Sequence, residues 1–458
     1  MKIFYGWRMV GAAGVIQFLQ ASLFVQAFGL YVALLGEERG WSKTALSAGA
    51  ALQSIESAVL GPLLGWLVDR FGSKWMLRVG ILCMTVGFVM LSLIDSLAGF
   101  YVAVVVLAIG ASFSGYFPLT VALVHWFERR RARALSLMSV GLAMGGMALP
   151  IVALTMAQFG WRATALVSGL IVLLIGLPLT RVFRGTPQEM GENVDDLPRA
   201  VTAPVPARSV SGSAQAQGVS GAADEVAELA GARVAPPPPV EPAPGPEFTA
   251  GQALRTGAFW WLAFGHGAAL LIVGAVNVHA ISHIKEGLGY SVTQAAFVIT
   301  LMTASHLGGL LLGSVIGDRF EKRRIAAFCM LAHAAGLLAL TYASNHAMLV
   351  AFAILHGGAW GLRGPLMQAI RADYFGRRAF GMILGMSAAV IALGQVAGPL
   401  VAGVFVDWTG NYRMGFTVLA IGAALGSLLF VMARPPQLAV ASVGASGAQG
   451  SSTGAQSL

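Results

Sequence analysis

Long apolar runs are the feature that most limits what this chain can fold into. Twelve runs are each long enough to cross a bilayer as a helix, which takes about 20 residues. Only 11% of the residues are charged, whereas a soluble domain carries about 25%. The sequence therefore predicts an all-α polytopic membrane protein with spans near 9–35, 45–68, 75–94, 99–125, 134–158, 162–183, 258–283, 293–316, 325–344, 347–371, 380–406 and 412–433.

A polar insert divides these spans into two groups of six. Residues 185–252 contain Ser, Gly and Ala tracts and the run Pro236–Pro239, with no helical apolar period. Such a composition cannot bury a core, so we predict a disordered linker there and a disordered tail over residues 436–458. The predicted domains are then two six-helix bundles, residues 1–184 and 253–435.

The two groups of spans repeat each other. Short motifs of the first half recur about 248 residues later, which is typical of transporters built from duplicated bundles around a central site. The two bundles are therefore predicted to be pseudo-symmetric. The matched pairs are Gly65 with Gly313, Asp69-Arg70 with Asp318-Arg319, Gly110 with Gly357, Pro118 with Pro365 and, more loosely, Gly160 with Gly410.

The distribution of basic residues predicts the orientation. Of the 29 Lys and Arg residues, Arg363 falls inside a span and all but a few of the others fall on one side of the membrane. Because cytoplasmic loops are rich in Lys and Arg, both termini and the linker should be cytoplasmic. The net charge of +9 then reflects these loops and not a nucleic-acid partner. The run 9–35 is too long for a signal peptide, so we expect it to be retained as span 1.

Arg363 is the most informative single residue, because it lies near the middle of span 10. About ten residues separate it from the charged loop at Asp373, which places it about 15 Å deep. A cation at that depth costs at least roughly 2.5 kcal/mol and should face a cavity or a partner rather than lipid. Gly361, Gly364 and Pro365 weaken the helix around it. Arg363 could bind a ligand, or it could hold helices together in a buried ion pair.

Glu56 and a set of histidines are the candidates for carrying protons. Glu56 lies about 20 Å from the end of span 2 by helical rise, where a carboxyl can hold a proton reversibly. It could equally be a paired glutamate that stabilises span 2. His306, deep in span 8, is the histidine that we expect to line the path, and His333 is expected to be packed or to face lipid. His279 and His283 lie on one helix face, but two histidines are weak evidence for a metal, and no metal site is predicted.

Gly65-Trp-Leu-Val-Asp69-Arg70-Phe71-Gly72-Ser73-Lys74 resembles the signature loop of the major facilitator superfamily. The resemblance implies that superfamily's fold of two six-helix bundles, and a gating role for Asp69 and Arg70 and for Asp318 and Arg319 in the weaker copy. The alternative is that these charges only fix the topology of the loops. In the superfamily, spans 1, 4, 7 and 10 line the cavity, which points to Gln20, Tyr116, Asn277 and Arg363, with Trp360 sharing the face of Arg363.

Several further pieces resemble the group of monocarboxylate transporters and oxalate/formate antiporters. They are Gly40-Trp41-Ser42, His125-Trp126-Phe127 with Arg129-Arg130-Arg131, Gly160-Trp161-Arg162 and Asp373-Tyr374-Phe375-Gly376. The resemblance implies a small carboxylate substrate and proton coupling. The chain departs from the group's pattern, because the group commonly has a lysine in span 1 or span 11. Span 1 here has Gln17, Gln20 and Gln26, span 11 has Gln395, and neither has a lysine. In span 8, His306 stands about where the group has an arginine.

The sequence thus predicts a secondary active transporter of a small monocarboxylate or dicarboxylate, coupled to protons and working by alternating access. Arg363 would bind the carboxylate, and Glu56 or His306 would carry the proton. An alternative is a proton-driven exporter of apolar or cationic compounds, and a third is a sensor or scaffold acting through the linker. We expect no enzyme activity and no cofactor, and a monomer in a bacterial inner membrane.

Overall fold

The computed structural model describes residues 4–41, 43–196 and 247–437, which form α-helices with short 3-10 and π-helical turns. Ten segments in this part of the chain are long and apolar enough to cross a membrane. One of them, Arg131–Val182, holds two crossings, because Gly160 interrupts it with φ 78° and ψ 159°. The 29-residue helix Lys43–Phe71 completes the twelve spans that the sequence predicts.

In the N-terminal half, three spans are interrupted helices. A π-helical turn at Ala21–Val25 breaks span 1, Gly115 breaks span 4, and a π-helical turn at Val172–Gly176 lies in span 6. The helices of this half are Tyr5–Gln20 and Phe28–Arg39 in span 1, Lys43–Phe71 in span 2, Ser73–Ser92 in span 3, Leu97–Ser114 and Tyr116–Trp126 in span 4, Arg131–Met147 in span 5, and Leu149–Ile171 running from span 5 past Gly160 into span 6.

The C-terminal half repeats this arrangement with longer uninterrupted helices. Span 7 is Gly257–Ser282 followed by a π-helical turn at His283–Gly287. The remaining helices are Val292–Ile316 in span 8, Lys322–Thr341 in span 9, His346–Phe375 in span 10, Phe380–Thr409 in span 11 and Arg413–Met432 in span 12.

Local sequence signals account for where these helices begin and end. Ser96, Thr256 and Asn345 each precede a span and accept a hydrogen bond from the backbone N–H three residues later. Gly160 and Gly410 end spans 5 and 11 with φ of 78° and 71°, a conformation that favours glycine. The positive φ at both positions therefore explains why glycine recurs in this loose repeat.

Helices from the two halves pack against each other in two symmetry-related pairs, span 2 with span 11 and span 5 with span 8. The first pair approaches closely at Gly61 and Gly385. A Cβ atom on Gly61 would lie only 2.9 Å from the carbonyl oxygen of Gly385. Small residues at this crossing therefore let the two backbones touch, as in other membrane helix pairs.

We call the end of the bundle that carries residues 71–73, 127–130, 317–321 and 376–379 the basic face, and the other end the opposite face. These segments follow spans 2, 4, 8 and 10, so the up-and-down order of the helices places them together. They include most of the short basic motifs found in the sequence. The basic face is where the two halves are joined by hydrogen bonds and ion pairs.

The linker prediction is wrong at both of its ends. Residues 185–196 form two 3-10 turns, and a capping box formed by Thr249 and Gln252 starts the helix Ala250–Leu254. Phe248 is buried, and its ring lies 5.6 Å from that of Phe375. A composition averaged over the whole insert hides such single anchoring residues. The rest of the predicted linker, residues 197–246, and most of the predicted tail lie outside the described residues.

Candidate functional site

Arg363 is fully buried inside span 10, as its depth in the sequence suggested. Its Nε and both Nη atoms have no hydrogen-bond partner among the described residues. The side chains that interact with its charge include Tyr116 and Cys329, neither of which is a carboxylate. The predicted alternative of a buried ion pair for Arg363 therefore has no acidic partner in the described part of the chain.

Arg371 is a second buried arginine on the same helix, and sequence reasoning missed it. The predicted span 10 ends at Arg371, but the helix continues to Phe375 and the Arg371 side chain is buried. Unlike Arg363, it has acceptors: the Ser387 hydroxyl at 3.2 Å, the Met367 carbonyl at 3.0 Å and the Gln368 side chain at 3.3 Å. Arg371 follows Arg363 by about two helical turns, and this spacing alone could have predicted that both side chains lie on one side of span 10.

Tyr116 brings the other half of the protein to these arginines. It is the first residue of the helix that restarts span 4 after the break at Gly115. Its hydroxyl group lies close enough to Arg363 and Arg371 to interact electrostatically with both. Tyr116 and Arg363, which the resemblance placed on the cavity-lining spans 4 and 10, are thus brought close together.

Trp360 and His306 are brought together beside Arg363. Their ring centroids lie 4.5 Å apart at an angle of 45°, and both side chains are half-buried. Trp360 is three residues before Arg363, so the two are neighbours on the surface of span 10. An aromatic wall of this kind can hold the apolar part of a small ligand.

Asn277 lies on the same side of span 7 as a residue of this cluster. His266 contacts Arg371 at 3.4 Å, and Asn277 follows it by eleven residues, about three helical turns. Asn277 is exposed, whereas His266 is buried. Asn277 therefore lies nearer the opposite face of the bundle than Arg363 and Arg371 do.

The structure does not bring Gln20 to the arginines. Its amide Nε2 donates to the Ser114 hydroxyl at 2.7 Å, and to the Ala111 carbonyl at 3.4 Å. Gln20 is buried among spans 1, 3 and 4 of the N-terminal half, where it holds the end of the helix before Gly115. Glu56 also faces its own half, because it accepts a hydrogen bond of 3.1 Å from Ser112 in span 4.

Two aspartates join the halves at the basic face, and they come from the repeated loop motif. Asp69 accepts from the backbone N–H groups of Gly381 at 3.0 Å and Met382 at 2.8 Å, at the start of span 11. Asp318 accepts from Ala132 at 2.8 Å and Arg133 at 2.9 Å, at the start of span 5. A carboxylate is stabilised at a helix N-terminus by the free N–H groups and the helix dipole. Burial raises the pKa of the Asp318 carboxyl, and the two hydrogen bonds offset part of that rise.

The arginines of the motif stay within their own half. Arg70 lies over the rings of Trp66 and Phe71 at 5.6 and 5.7 Å, and Arg319 is exposed. The cations that cross between the halves are instead Arg131, which is paired with Asp373, and Arg377, which lies 3.8 Å from Glu128. Lys322 lies 2.9 Å from the Asp373 carboxylate, within its own half. Arg377 reaches the His125 carbonyl at 3.4 Å from the other half. Sequence reasoning quoted Arg131 and Asp373 as motif residues without pairing them.

The two ends of the linker add a second set of carboxylate caps. Asp195 is buried with φ 59°, and it accepts from the backbone N–H groups of residues 128–130, the shortest bond being 2.6 Å to Arg129. Glu247 accepts from Arg377 at 3.1 Å and Arg378 at 2.7 Å. Each basic loop is therefore held by one acid from the linker, next to a helix start held by one aspartate from the other half.

His333 does not face lipid, although the sequence gave that as one of two expectations. It is fully buried and its Nδ1 lies 3.1 Å from Nδ1 of His356 in span 10. His279 and His283, near the opposite face, are bonded to the backbone carbonyls of Pro399 and Leu340 at 3.0 and 3.1 Å. The other expectation for His333, a packed residue, agrees with its position.

Comparisons with known proteins agree with this architecture. The family model described as Major Facilitator Superfamily matches residues 12–278 and 262–451. An MFS-type transporter of Aspergillus fumigatus is 25% identical over 425 residues, covering 90% of this chain and 89% of that protein. Monocarboxylate transporter 7 of Homo sapiens is 23% identical over 463 residues, covering 94% of this chain and 86% of that protein.

Solved structures show the same fold at low identity. The human organic anion transporter MFSD10 (TETRAN) superposes with a TM-score of 0.66 at 15% identity, over 93% of this chain and 99% of that one. The proton:xylose symporter XylE gives a TM-score of 0.66 at 13% identity, over 93% and 95% of the two chains. The matching family and these relatives are transporters, which confirms the prediction that the chain is not an enzyme.

Proposed function

Because the chain belongs to the major facilitator superfamily, we propose that it is a secondary active transporter of a small organic monocarboxylate, coupled to protons and working by alternating access. Arg363 binds the carboxylate between the two halves. The relatives named monocarboxylate transporters and the structural neighbour named an organic anion transporter support the same substrate class.

The observation that carries the proposal is the unpartnered guanidinium of Arg363. Leaving a buried charge without its partner costs about 3–5 kcal/mol in proteins. A carboxylate ligand would remove this cost through charge-assisted hydrogen bonds, and a guanidinium can form two of them in parallel. No carboxylate is among the groups that interact with Arg363 in the described residues, so an anion from outside is the matching partner.

The contrast between the two buried arginines of span 10 favours a ligand with one carboxylate group over a ligand with two. Arg371 is already satisfied by Ser387, Met367 and Gln368, so its charge is held by the protein. Of these two arginines, only Arg363 has donors without a partner in the described residues. The half-buried Trp360 next to it offers an apolar surface to the rest of the ligand. These features fit a small molecule with one charged and one apolar end.

The contacts at the basic face supply the two-state element that alternating access needs. Asp69 and Asp318 each hold a helix start of the other half, and Arg131 holds Asp373 across the same interface. Opening the basic face requires all of these contacts to break. With the basic face cytoplasmic by the positive-inside rule, the structure represents the state closed to the cytoplasm. We therefore propose Asp69 and Asp318 as gating residues, and a local role for Arg70 and Arg319 in place of the gating role that the resemblance implies for them.

A thermal-shift screen of the purified protein tests the substrate class. Small monocarboxylates are compared with dicarboxylates, cationic compounds and neutral sugars. A ligand at a hundred times its dissociation constant adds about 2.7 kcal/mol to the stability of the protein, enough to shift the melting temperature. We expect stabilisation by monocarboxylates that disappears in Arg363→Ala and is weakened in Arg363→Lys, which keeps the charge but loses the planar fork.

Two controls make the result specific. Asp95→Asn alters ion pairs with Arg39 and Arg162 at the opposite face and should leave the stabilisation unchanged. Carboxylate stabilisation that persists in Arg363→Ala would refute the proposed site. Stabilisation by cationic compounds alone, lost in Glu56→Gln, would instead favour the proton-driven exporter.

A further inference from the structure

Two buried histidines, His333 in span 9 and His356 in span 10, form a hydrogen-bonded pair inside the C-terminal half. Their Nδ1 atoms lie 3.1 Å apart, and their rings meet edge to face with centroids 4.6 Å apart. Both side chains are fully buried, and neither Nε2 atom has a hydrogen-bond partner among the described residues. No other pair of imidazoles in the described part of the chain is hydrogen-bonded.

The hydrogen bond between the rings fixes how many protons the pair can hold. One Nδ1 must carry a hydrogen and the other must be bare, because an N–H cannot donate to another N–H. In the neutral pair, the donor ring therefore has a bare Nε2. One additional proton can bind there, and the Nδ1 hydrogen bond is kept and becomes charge-assisted. A second proton would have to enter the bond itself and would break it. The pair thus takes up one proton.

The surroundings of the pair link that proton to Arg363. His356 and Arg363 are seven residues apart on span 10, which places them on one helix face about 10 Å apart by helical rise. Both histidines interact electrostatically with Arg363, and His356 also interacts with His306 of span 8. The titratable groups that interact with the pair are therefore Arg363 of span 10 and His306 of span 8. In the described residues, no carboxylate is among the groups that interact with either histidine.

Two positive charges about 10 Å apart repel each other. At an effective dielectric constant of about 20, the charge of Arg363 therefore lowers the proton-binding constant of the pair roughly tenfold. A carboxylate bound to Arg363 cancels that repulsion. The anion therefore strengthens proton binding to the pair, and by linkage the proton strengthens anion binding by the same factor. Loading with one proton and one monocarboxylate adds no net charge to the buried site.

We propose that the His333–His356 pair, and not Glu56, holds the transported proton, one for each carboxylate bound at Arg363. The inference rests on the proposed function and specifies how that site is coupled. The proton binds Nε2 of the ring that donates through Nδ1, and it leaves from the same atom when the carboxylate leaves. Transport of this kind is electroneutral, and empty and loaded sites carry the same charge.

The test uses the full chain reconstituted in liposomes. Carboxylate accumulation driven by a pH gradient is measured beside carboxylate exchange at equal pH, which needs no net proton movement. We expect His333→Gln and His356→Gln to lose gradient-driven accumulation at least tenfold while exchange continues. Glu56→Gln should retain both activities. The matched control is His279→Gln, a histidine of the same half bonded to a backbone carbonyl, which should also retain both.

A second measurement does not depend on the variants folding. Calorimetry of carboxylate binding to the unaltered protein, in buffers with different ionisation enthalpies, counts the protons taken up. With a tenfold coupling, we expect uptake to pass through a maximum of about half a proton per carboxylate, at a pH between the protonation midpoints of the free and the anion-bound pair. Accumulation that survives in both histidine variants, or binding without proton uptake, would overturn the inference. Failure of the unaltered protein to bind or exchange any carboxylate would instead refute the proposed function.

Discussion

Removing the carboxylate of Asp69 should open the basic face, because this residue holds the start of span 11 from the other half. Asp69→Ala deletes two hydrogen bonds to backbone N–H groups, at 3.0 and 2.8 Å. A hydrogen bond to a charged group contributes about 1.5–3 kcal/mol, and a charge at a helix end adds about 0.3–1 kcal/mol. Since water replaces these bonds in the open state, we take about 3 kcal/mol as the net loss, which is about a 100-fold shift towards the open state.

The symmetry of the two contacts extends the prediction. Asp318→Ala removes the equivalent pair of bonds at the start of span 5 and should give a shift of similar size. The two aspartates hold different helices and share no partner in the described residues, so their effects should add. The double variant should therefore move the equilibrium by about 10⁴-fold, enough to convert a mostly closed population into a mostly open one.

Distances between spin labels measure this equilibrium directly. Labels on the exposed residues Arg129 and Arg324 report the separation of the halves at the basic face, with Cys83 and Cys329 replaced by alanine. Asp95→Ala is the matched control, because it removes an aspartate whose partners Arg39 and Arg162 belong to its own half. Unchanged distances in the double variant would refute the view that these caps hold the basic face closed.

Three further predictions concern other contacts in the closed structure. Asp195→Ala and Glu247→Ala should each make tryptic cleavage of the adjoining basic loop about tenfold faster, because the loss of a cap costs about 1 kcal/mol or more. The control is Glu189→Ala, near Asp195 in the sequence, which should leave the cleavage rate unchanged. Gly61→Ala should destabilise the closed state, since its Cβ would lie 2.9 Å from the Gly385 carbonyl oxygen. The control is Gly422→Ala, because a Cβ there meets nothing within 4 Å. The distances between the spin labels measure the effect of both variants. Burial raises the pKa of Asp318 in the closed state, and the protonated carboxyl can still accept both backbone hydrogen bonds. Lowering the pH towards about 4, the ordinary carboxyl value, should therefore favour the closed state, and Asp318→Asn should remove that part of the pH dependence.

The sequence by itself determined the membrane architecture. Apolar runs of the right length, the repeat of Gly65 and Asp69 as Gly313 and Asp318, and the depth of Arg363 predicted a duplicated transporter with a buried cation. These features can be predicted because each depends only on distance along one helix or on chain length. The resemblance to the signature loop implied a gating role for Asp69 and Asp318, and the structure shows that both carboxylates accept hydrogen bonds from helix starts of the other half.

The tertiary structure decided which polar groups meet. Most spans are apolar on every side, so the sequence gives the depth of a residue but not the direction in which its side chain points. The rotation of each helix brings His333 to His356 and turns Arg371 inward, and it directs Gln20 to Ser114 rather than to Arg363. The linker ends were missed for a related reason. Asp195 and Glu247 act through single hydrogen-bonding groups, and neither composition nor periodicity records a contact made by one residue with a distant loop.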